Sequence, residues 1–150
     1  MLILARDRAL QQRLREDPQL LKPFIEEVLR FEAPVQRKCR RTIAPTEIVG
    51  VPIPEGTIVQ CLIGSANRDP KVFSEPEQFR PERQKNRHLS FGLGPHFCLG
   101  AQLGRTQAFL ALRALLQKIP SFTLADSSEG IRYADNNLVR SLLRLSVSLE

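Results

Sequence analysis

The chain has 150 residues, and its 22 lysines and arginines against 16 aspartates and glutamates give a formal net charge of +6. This length predicts a single domain, and 42% hydrophobic with 25% charged residues is typical of a folded globular protein rather than a disordered one. We expect no signal peptide and no membrane span, since arginines interrupt every apolar run, and three cysteines without CxxC spacing indicate neither a disulfide scaffold nor a zinc site. The expected compartment is the reducing cytoplasm.

The basic excess raises the question of nucleic-acid binding. Most positive residues are arginines interleaved with acids, and the densest basic cluster is short, at residues 37–41. This pattern is more typical of a solvated surface than of a phosphate-binding stripe. One tyrosine and no tryptophan are available for stacking on bases, although eight phenylalanines remain. Nucleic-acid binding is therefore a minor alternative, and we expect no nucleic-acid partner.

The beginning of the chain predicts two helices. Apolar residues recur at helical spacing over residues 2–16, and this pattern includes Met1 with no capping residue before it. Asp17-Pro18 ends the first helix, and Asp17 is suited to cap a following turn. A second helix is predicted over residues 23–32 and ends before Pro34.

The helical pattern stops after this point. β-Branched residues interrupted by proline and glycine predict a hairpin of two strands, Glu47–Val49 and Thr57–Leu62. Residues 67–98 are rich in Pro, Arg, Asn and Gly and show no sustained period, so they predict a loop of about thirty residues. Loops of that length in compact domains are usually functional or disordered.

The last third of the chain returns to regular structure. A long amphipathic helix is predicted over Leu99–Ile119 and ends at Pro120. Short strands are predicted at Phe122–Leu124, Ile131–Tyr133 and Leu142–Leu149. The pattern as a whole predicts a mainly α fold with small β-sheets.

The most informative segment is residues 91–100, in which Cys98 stands immediately before the long helix. Unpaired amide groups and the positive end of the helix dipole would face its sulfur and favour the thiolate. Gly92 and Gly94 allow left-handed backbone conformations or the close approach of a flat ligand. The two flanking phenylalanines would exclude water. These properties suit a thiolate bound to a metal centre.

Two other interpretations of Cys98 stay open at this point. A buried cysteine in a glycine-rich turn is the commonest role of an isolated cysteine. A nucleophilic cysteine needs a base close by, and His96 lies two residues away. Two glycines and two phenylalanines around the thiol nevertheless favour a planar cofactor over an acyl substrate.

The segment resembles the cysteine-loop signature of the cytochrome P450 haem-thiolate monooxygenases, in which four residues stand at fixed spacing. These are Phe91, Gly94, Cys98 and Gly100. Residues 27–30 resemble the ExxR motif of that family, and residues 79–83 resemble the segment whose arginine completes a Glu-Arg-Arg cluster. The resemblance extends from about residue 4 to residue 149 and is closest to soluble bacterial members.

The resemblance implies the C-terminal, haem-proximal part of the cytochrome P450 fold, with haem b as cofactor and Cys98 as the axial ligand of its iron. It implies that Arg40 and His96 neutralise the haem propionates. The other cofactor-binding residues that it implies are Phe91, Gly92, Gly94 and Gly100. It also implies a structural network of Glu27, Arg30 and Arg83 that holds the cysteine loop and performs no chemistry.

The activity implied by the resemblance is the insertion of one oxygen atom of O2 into a small organic substrate, for which electron donation by a thiolate favours O–O cleavage. The implied electron donor is a ferredoxin or a flavodoxin-type protein. Such donors are acidic, and four basic residues near the cysteine loop are candidates to attract them: Lys85, Arg87, Arg105 and Arg113. Substrate contacts are expected from residues 33–36 and 136–138.

The oxygen-activating helix of the family carries an acid-threonine pair, and no counterpart is found among the 26 residues before Glu27. We therefore identify no catalytic residue and expect residues 1–150 to form a single partial domain. Two hypotheses follow. The chain is the C-terminal portion of a haem-thiolate monooxygenase, or it is a truncated haem-binding module or remnant without monooxygenase activity.

Overall fold

The computed structural model describes residues 1–125 and 130–150. The helices are α1 (Leu2–Ala5), α2 (Arg8–Glu16), α3 (Leu21–Phe31), α4 (Ile63–Ala66) and α5 (Ala101–Lys118), with 3₁₀ turns at Pro18–Leu20 and Gly94–His96. The strands are β1 (Arg37–Arg41), β2 (Thr46–Ile48), β3 (Val51–Ile53), β4 (Ile58–Leu62), β5 (Phe122–Leu124) and β6 (Val147–Leu149). The prediction of helices with small sheets is confirmed. In the part of the chain that the structure describes, no helix combines the length and apolar character needed to cross a bilayer.

The predicted single helix over residues 2–16 is wrong, because Asp7 divides it. Asp7 has an extended backbone (φ −139°), and its side chain accepts a hydrogen bond from the N–H of Leu10 at 2.8 Å. An aspartate at this position satisfies an amide that the first turn leaves unpaired, so α2 begins anew at Arg8. Asp17 caps the following turn as predicted, by accepting from the N–H of Gln19 at 3.0 Å.

The core lies where the N-terminal helices meet α5 and β5. Its buried apolar residues are Leu4, Ala5, Leu10, Leu14, Leu21, Phe24, Ile25, Leu116 and Phe122. One buried polar side chain crosses this core. Gln11 donates to the carbonyl oxygens of Leu4 and Phe122, both at 2.7 Å, and accepts from the N–H of Phe122 at 3.3 Å. Its amide group therefore joins β5 to the N-terminal helices with its hydrogen bonds satisfied.

The three sheets in the described residues are each a pair of antiparallel strands: β1 with β4, β2 with β3, and β5 with β6. The predicted pairing of residues 47–49 with residues 57–62 is wrong. Strand β2 pairs with β3, and β4 pairs with β1, so that Arg37 lies opposite Leu62. The sequence pattern missed β1 because its Arg and Lys side chains read as surface charges. The β1–β4 ribbon is largely exposed and accommodates them.

The long loop is confirmed over residues 67–93, where the structure contains turns and no helix or strand. The predicted strand at residues 131–133 is wrong, since Tyr133 forms only an isolated bridge with Leu142. Strand β6 begins at Val147, five residues later than predicted. Between Tyr133 and Val147, residues 138–140 lie along the segment after α3, with a bridge between Val35 and Val139.

The β2–β3 turn contains a strained residue. Val49 and Gly50 both have positive φ, at 49° and 77°, as a two-residue turn of type I′ requires. A β-branched side chain is disfavoured in this left-handed region, whereas asparagine tolerates it. We therefore expect Val49→Asn to raise the free energy of unfolding by about 1 kcal/mol, measured by urea denaturation.

The control is Val51→Asn, the same change on the adjacent strand, where φ is not positive. It should lower the free energy of unfolding by a few tenths of a kcal/mol, because asparagine is a poor strand residue. Equal effects of the two substitutions would contradict the strain at Val49.

Candidate functional site

The Glu27 carboxylate is buried and surrounded by donors. Arg30 lies one turn further along α3 and donates to both of its oxygens at 2.8 Å, and both side chains have 0% exposed area. Arg83 reaches the same carboxylate from the long loop, with its Nε 3.3 and 3.4 Å from the two oxygens. The N–H of Arg80 and the side chain of Asn86 add bonds at 2.8 and 3.0 Å. The structure thus brings Glu27, Arg30 and Arg83 together.

The two arginines also bind the backbone of the loop. Arg30 donates to the carbonyl oxygens of Asn67 and Pro76, both at 2.9 Å, and to that of Gln78 at 3.1 Å. Arg83 donates to three carbonyl oxygens, those of Ser74 (2.6 Å), Glu75 (3.2 Å) and Gln78 (3.2 Å). A loop without a strand or helix has no ladder for its carbonyl groups, and these guanidinium groups supply donors instead.

Asn67 extends the network to the cysteine segment. It is fully buried, its Oδ1 accepts from the N–H of Leu89 at 2.7 Å, and its Nδ2 donates to Ser90 Oγ at 2.9 Å. Ser90 Oγ in turn donates to the carbonyl oxygen of Leu29 at 2.5 Å. Sequence reasoning did not assign these roles to Asn67 and Ser90, because neither stands at a fixed spacing from a charged partner.

The cysteine segment forms a closed turn before α5. The N–H of Cys98 donates to the carbonyl oxygen of Phe91 at 2.8 Å, and that of Phe97 donates to Gly94 at 3.0 Å. Gly92 and Gly94 have φ of +79° and +71°, which side chains rarely adopt. A Cβ at Gly92 would lie 3.5 Å from the backbone oxygen of His96. The turn therefore depends on these two glycines.

The outer face of this turn is open and apolar. Cys98 and His96 are exposed, Leu99 is fully exposed, and Leu93 and Phe97 retain 79% and 49% of their area. Space beside Gly94 is free, with no atom within 4 Å of a Cβ placed there. A flat, largely apolar group fits against such a surface. Exposed apolar side chains around a thiol otherwise have an unfavourable contact with water.

A metal bound by Cys98 would need to bring its other ligands. Within residues 1–125 and 130–150, no cluster of three or more His, Cys, Asp or Glu residues could hold a metal ion. Cys98 would then be the single protein ligand of the metal. A haem iron has this property, because the porphyrin supplies four ligands to it.

Arg40 lies outside this turn, on strand β1. It is exposed on β1, and its guanidinium donates to the carbonyl oxygen of the neighbouring Cys39 at 2.9 Å. The two segments expected to contact substrate do lie together. The N–H of Gln36 donates to the carbonyl oxygen of Leu138 at 2.8 Å.

Arg105 corrects one expectation from the sequence. It is not a free surface charge, because it donates to both carboxylate oxygens of Glu26, at 2.6 and 2.8 Å. Lys85, Arg87 and Arg113 are exposed as expected.

His88 also binds the Glu26 carboxylate, a contact that no local sequence spacing indicates. Its side chain is 3% exposed, its Nε2 lies 3.1 Å from Glu26, and its Nδ1 accepts from the N–H of Ser90 at 3.2 Å. Burial lowers the pKa of His88 below its usual 6.5, and the Glu26 carboxylate offsets this only in part. Burial raises the pKa of Glu27, but the bonds from Arg30 and Arg80 outweigh it, so that pKa is lowered.

Comparison with known proteins gives one consistent family. The sequence model of cytochrome P450 matches residues 1–143. The chain is 44% identical over 138 residues to the biotin biosynthesis cytochrome P450 of Bacillus subtilis, which covers 92% of this chain and 34% of that protein. It is 40% identical over 144 residues to a steroid C26-monooxygenase of Mycobacterium tuberculosis, and the match covers 96% of this chain and 39% of that protein. The chain therefore spans about a third of the length of the curated relatives it matches.

Solved structures agree with the sequence comparison. The crystal structure of P450BioI in complex with an acyl carrier protein ligated to hexadec-9Z-enoic acid superposes with a TM-score of 0.93 at 42% identity. The match covers 99% of this chain and 38% of that one. CYP109E1 of Bacillus megaterium in complex with testosterone gives a TM-score of 0.92 at 35% identity, covering 97% and 40%.

The buried ion pair gives a test of stability. Glu27→Gln leaves Arg30 buried without a counter-charge, so we expect the free energy of unfolding to fall by about 3 kcal/mol. The matched control is Glu77→Gln, which removes an exposed partner of Arg68 and should cost less than about 0.5 kcal/mol. Urea denaturation measures both. Similar values for the two variants would contradict the dependence on Glu27.

His88 gives a test by pH. Because its pKa is lower in the folded than in the unfolded chain, the unfolded chain takes up the proton first. The stabilising contribution is complete above pH 6.5 and is lost as the pH falls from 6.5 through the folded-state pKa. We expect His88→Gln to reduce this slope of stability against pH, measured by urea denaturation at a series of pH values. A His88 variant with the wild-type slope would refute the assignment.

Proposed function

The chain belongs to the cytochrome P450 family, and from this premise we propose that it forms the haem-proximal part of a haem-thiolate monooxygenase, which inserts one oxygen atom of O2 into an organic substrate. The family binds haem b. The observation that carries the proposal is the exposed thiol of Cys98, in a glycine-dependent turn with an apolar outer face at the start of α5. All three cysteines are free, which fits the cytoplasm as the proposed compartment.

Haem, when bound, supplies the redox-active iron at which dioxygen is activated. Cys98 would bind that iron as a thiolate. Cys98 stands three residues before Ala101, the first residue of α5, and a Cβ placed at Gly100 would lie 4.0 Å from its Sγ. The bond from the Cys98 N–H to the Phe91 carbonyl oxygen fixes the backbone from which the thiol projects.

The residues around the thiol divide into two roles. We propose that the flat face of the cofactor lies against the turn, where Gly92, Gly94 and Gly100 have no side chains. Phe91 would exclude water from this contact. We assign the propionates to His96 and Arg40, both of which are exposed and hydrogen-bond-capable donors.

Glu27, Arg30 and Arg83 perform no step of the reaction in this proposal. They hold the long loop against α3, so that the turn containing Cys98 has a fixed position relative to the helices. Support for this comes from the six donations of the two arginines to loop carbonyl oxygens.

The proposed partners are a small organic substrate and an acidic electron donor of the ferredoxin or flavodoxin type. Residues 33–36 and 136–138 lie against each other and are the proposed substrate contacts in this chain. Exposed Lys85, Arg87 and Arg113 would attract an acidic donor at low ionic strength.

Cys98→Ser tests the proposal. The wild-type chain, supplied with haem, reduced and exposed to carbon monoxide, should give the red-shifted band of a thiolate-bound haem, and the variant should not. Cys61→Ser removes another exposed thiol and should keep the band. A wild-type chain that takes up no haem, or a Cys98→Ser variant that keeps the band, would overturn the proposed ligand. The second candidate, a haem-binding module without activity, predicts the same thiolate band.

A further inference from the structure

Glu26, the neighbour of Glu27 on α3, binds Arg105 and His88. The proposed function does not use this second cluster of side chains. The Glu26 carboxylate and the guanidinium of Arg105 form a two-point contact between α3 and α5, and each side chain is 29% exposed. A bidentate pair of this kind fixes the plane of the guanidinium as well as its position. Arg105 is thereby oriented and not merely neutralised.

The fixed guanidinium lies on an aromatic ring of the cysteine segment. The Arg105 Cζ is 4.5 Å from the centre of the Phe91 ring. A cation at this distance from a ring face is attracted by the ring's quadrupole. Glu26 fixes the plane of the Arg105 guanidinium. Since the Phe91 ring is attracted to that guanidinium, Glu26 also helps to fix the position of the ring.

His88 contacts Phe91 on a second side. The two ring centres are 6.1 Å apart, and both imidazole nitrogens of His88 are used. The Ser90 N–H is a donor to Nδ1, so the proton lies on Nε2, which donates to Glu26. Burial lowers the pKa of His88, so the imidazole is neutral at pH 7 and can keep both bonds.

Phe91 connects this cluster to the thiol. Its carbonyl oxygen accepts the hydrogen bond from the Cys98 N–H at 2.8 Å, and its ring packs 6.4 Å from that of Phe97, the residue before the cysteine. Movement of Phe91 would therefore move the backbone on which Cys98 stands.

We infer that Glu26, His88 and Arg105 are positioning residues that clamp Phe91 and, through Phe91, set the position of the Cys98 thiol. We call them the Phe91 clamp. This inference rests on the proposed role of Cys98 as the ligand of haem iron. Glu27, Arg30 and Arg83 hold residues 67–83, whereas the Phe91 clamp acts on the residues immediately before the turn.

The test uses Arg105→Lys, which keeps the positive charge but loses the planar fork, and Glu26→Gln, which keeps the shape but loses the charge. The matched control is Arg6→Lys, the same change at an exposed arginine directly after α1. The first measurement is amide hydrogen exchange in the haem-free chain. We expect the Cys98 amide to exchange about tenfold faster in both clamp variants, while the amide of buried Leu116 in α5 keeps its wild-type rate.

The second measurement is the share of the haem–carbon monoxide complex in the thiolate form, read from its red-shifted band against the band of a neutral thiol. We expect this share to fall by about threefold in both clamp variants at equal haem content, and to stay constant in Arg6→Lys. The double variant should be no worse than either single one, since both act through the same contact.

Two results would overturn the clamp. One is an unchanged Cys98 exchange rate in Arg105→Lys and Glu26→Gln. The other is equal acceleration at Cys98 and Leu116, which would mean that the cluster contributes only to overall stability. A wild-type chain that takes up no haem contradicts the proposed function, and the exchange measurement still decides on the clamp.

Discussion

Burying the Glu27 carboxylate costs several kcal/mol of lost hydration, and the rest of this structure is arranged to offset that cost. Arg30 and Arg83 neutralise it, and the Arg80 N–H and Asn86 complete its hydrogen bonds. Each arginine then uses its remaining N–H groups on loop carbonyl oxygens. A buried ion pair is weak evidence for stability by itself. Here it replaces the backbone ladder that the long loop lacks.

The two adjacent glutamates of α3 explain how one helix can support the cysteine segment from two sides. Successive residues of an α-helix point about 100° apart. Glu27 therefore faces the loop through Arg83, whereas Glu26 faces α5 through Arg105. Arg30 binds Asn67, which accepts a hydrogen bond from the N–H of Leu89. Glu26 binds His88, which accepts a hydrogen bond from the N–H of Ser90. The turn with Cys98 begins directly after these residues.

The sequence predicted the features that local spacing determines. Glu27 and Arg30 stand three residues apart on one helix, and Cys98 precedes a long amphipathic helix, so both could be placed without a structure. Asn67 and His88 could not, because their partners lie 22 and 62 residues away along the chain. Pairing of β1 with β4 was missed for a related reason. An exposed ribbon has no apolar alternation to mark it. Residues 42–57, which contain the β2–β3 pair, separate its two strands, so no short turn signals their pairing.

Ion pairs between distant residues also determine which side chains carry the net positive charge. Arg30 and Arg83 share Glu27, and Arg105 pairs with Glu26, so these three arginines and two glutamates together carry a net charge of +1. The remaining +5 of the net +6 belongs to the other side chains, many of them exposed. Among these, Lys85 and Arg87 follow the segment that Arg83 anchors and stand 13 and 11 residues before Cys98 in the sequence. The buried network thus does more than hold a loop, since it also fixes where the free positive charges stand relative to the thiol. Attraction of an acidic partner depends on that placement and not on the total charge.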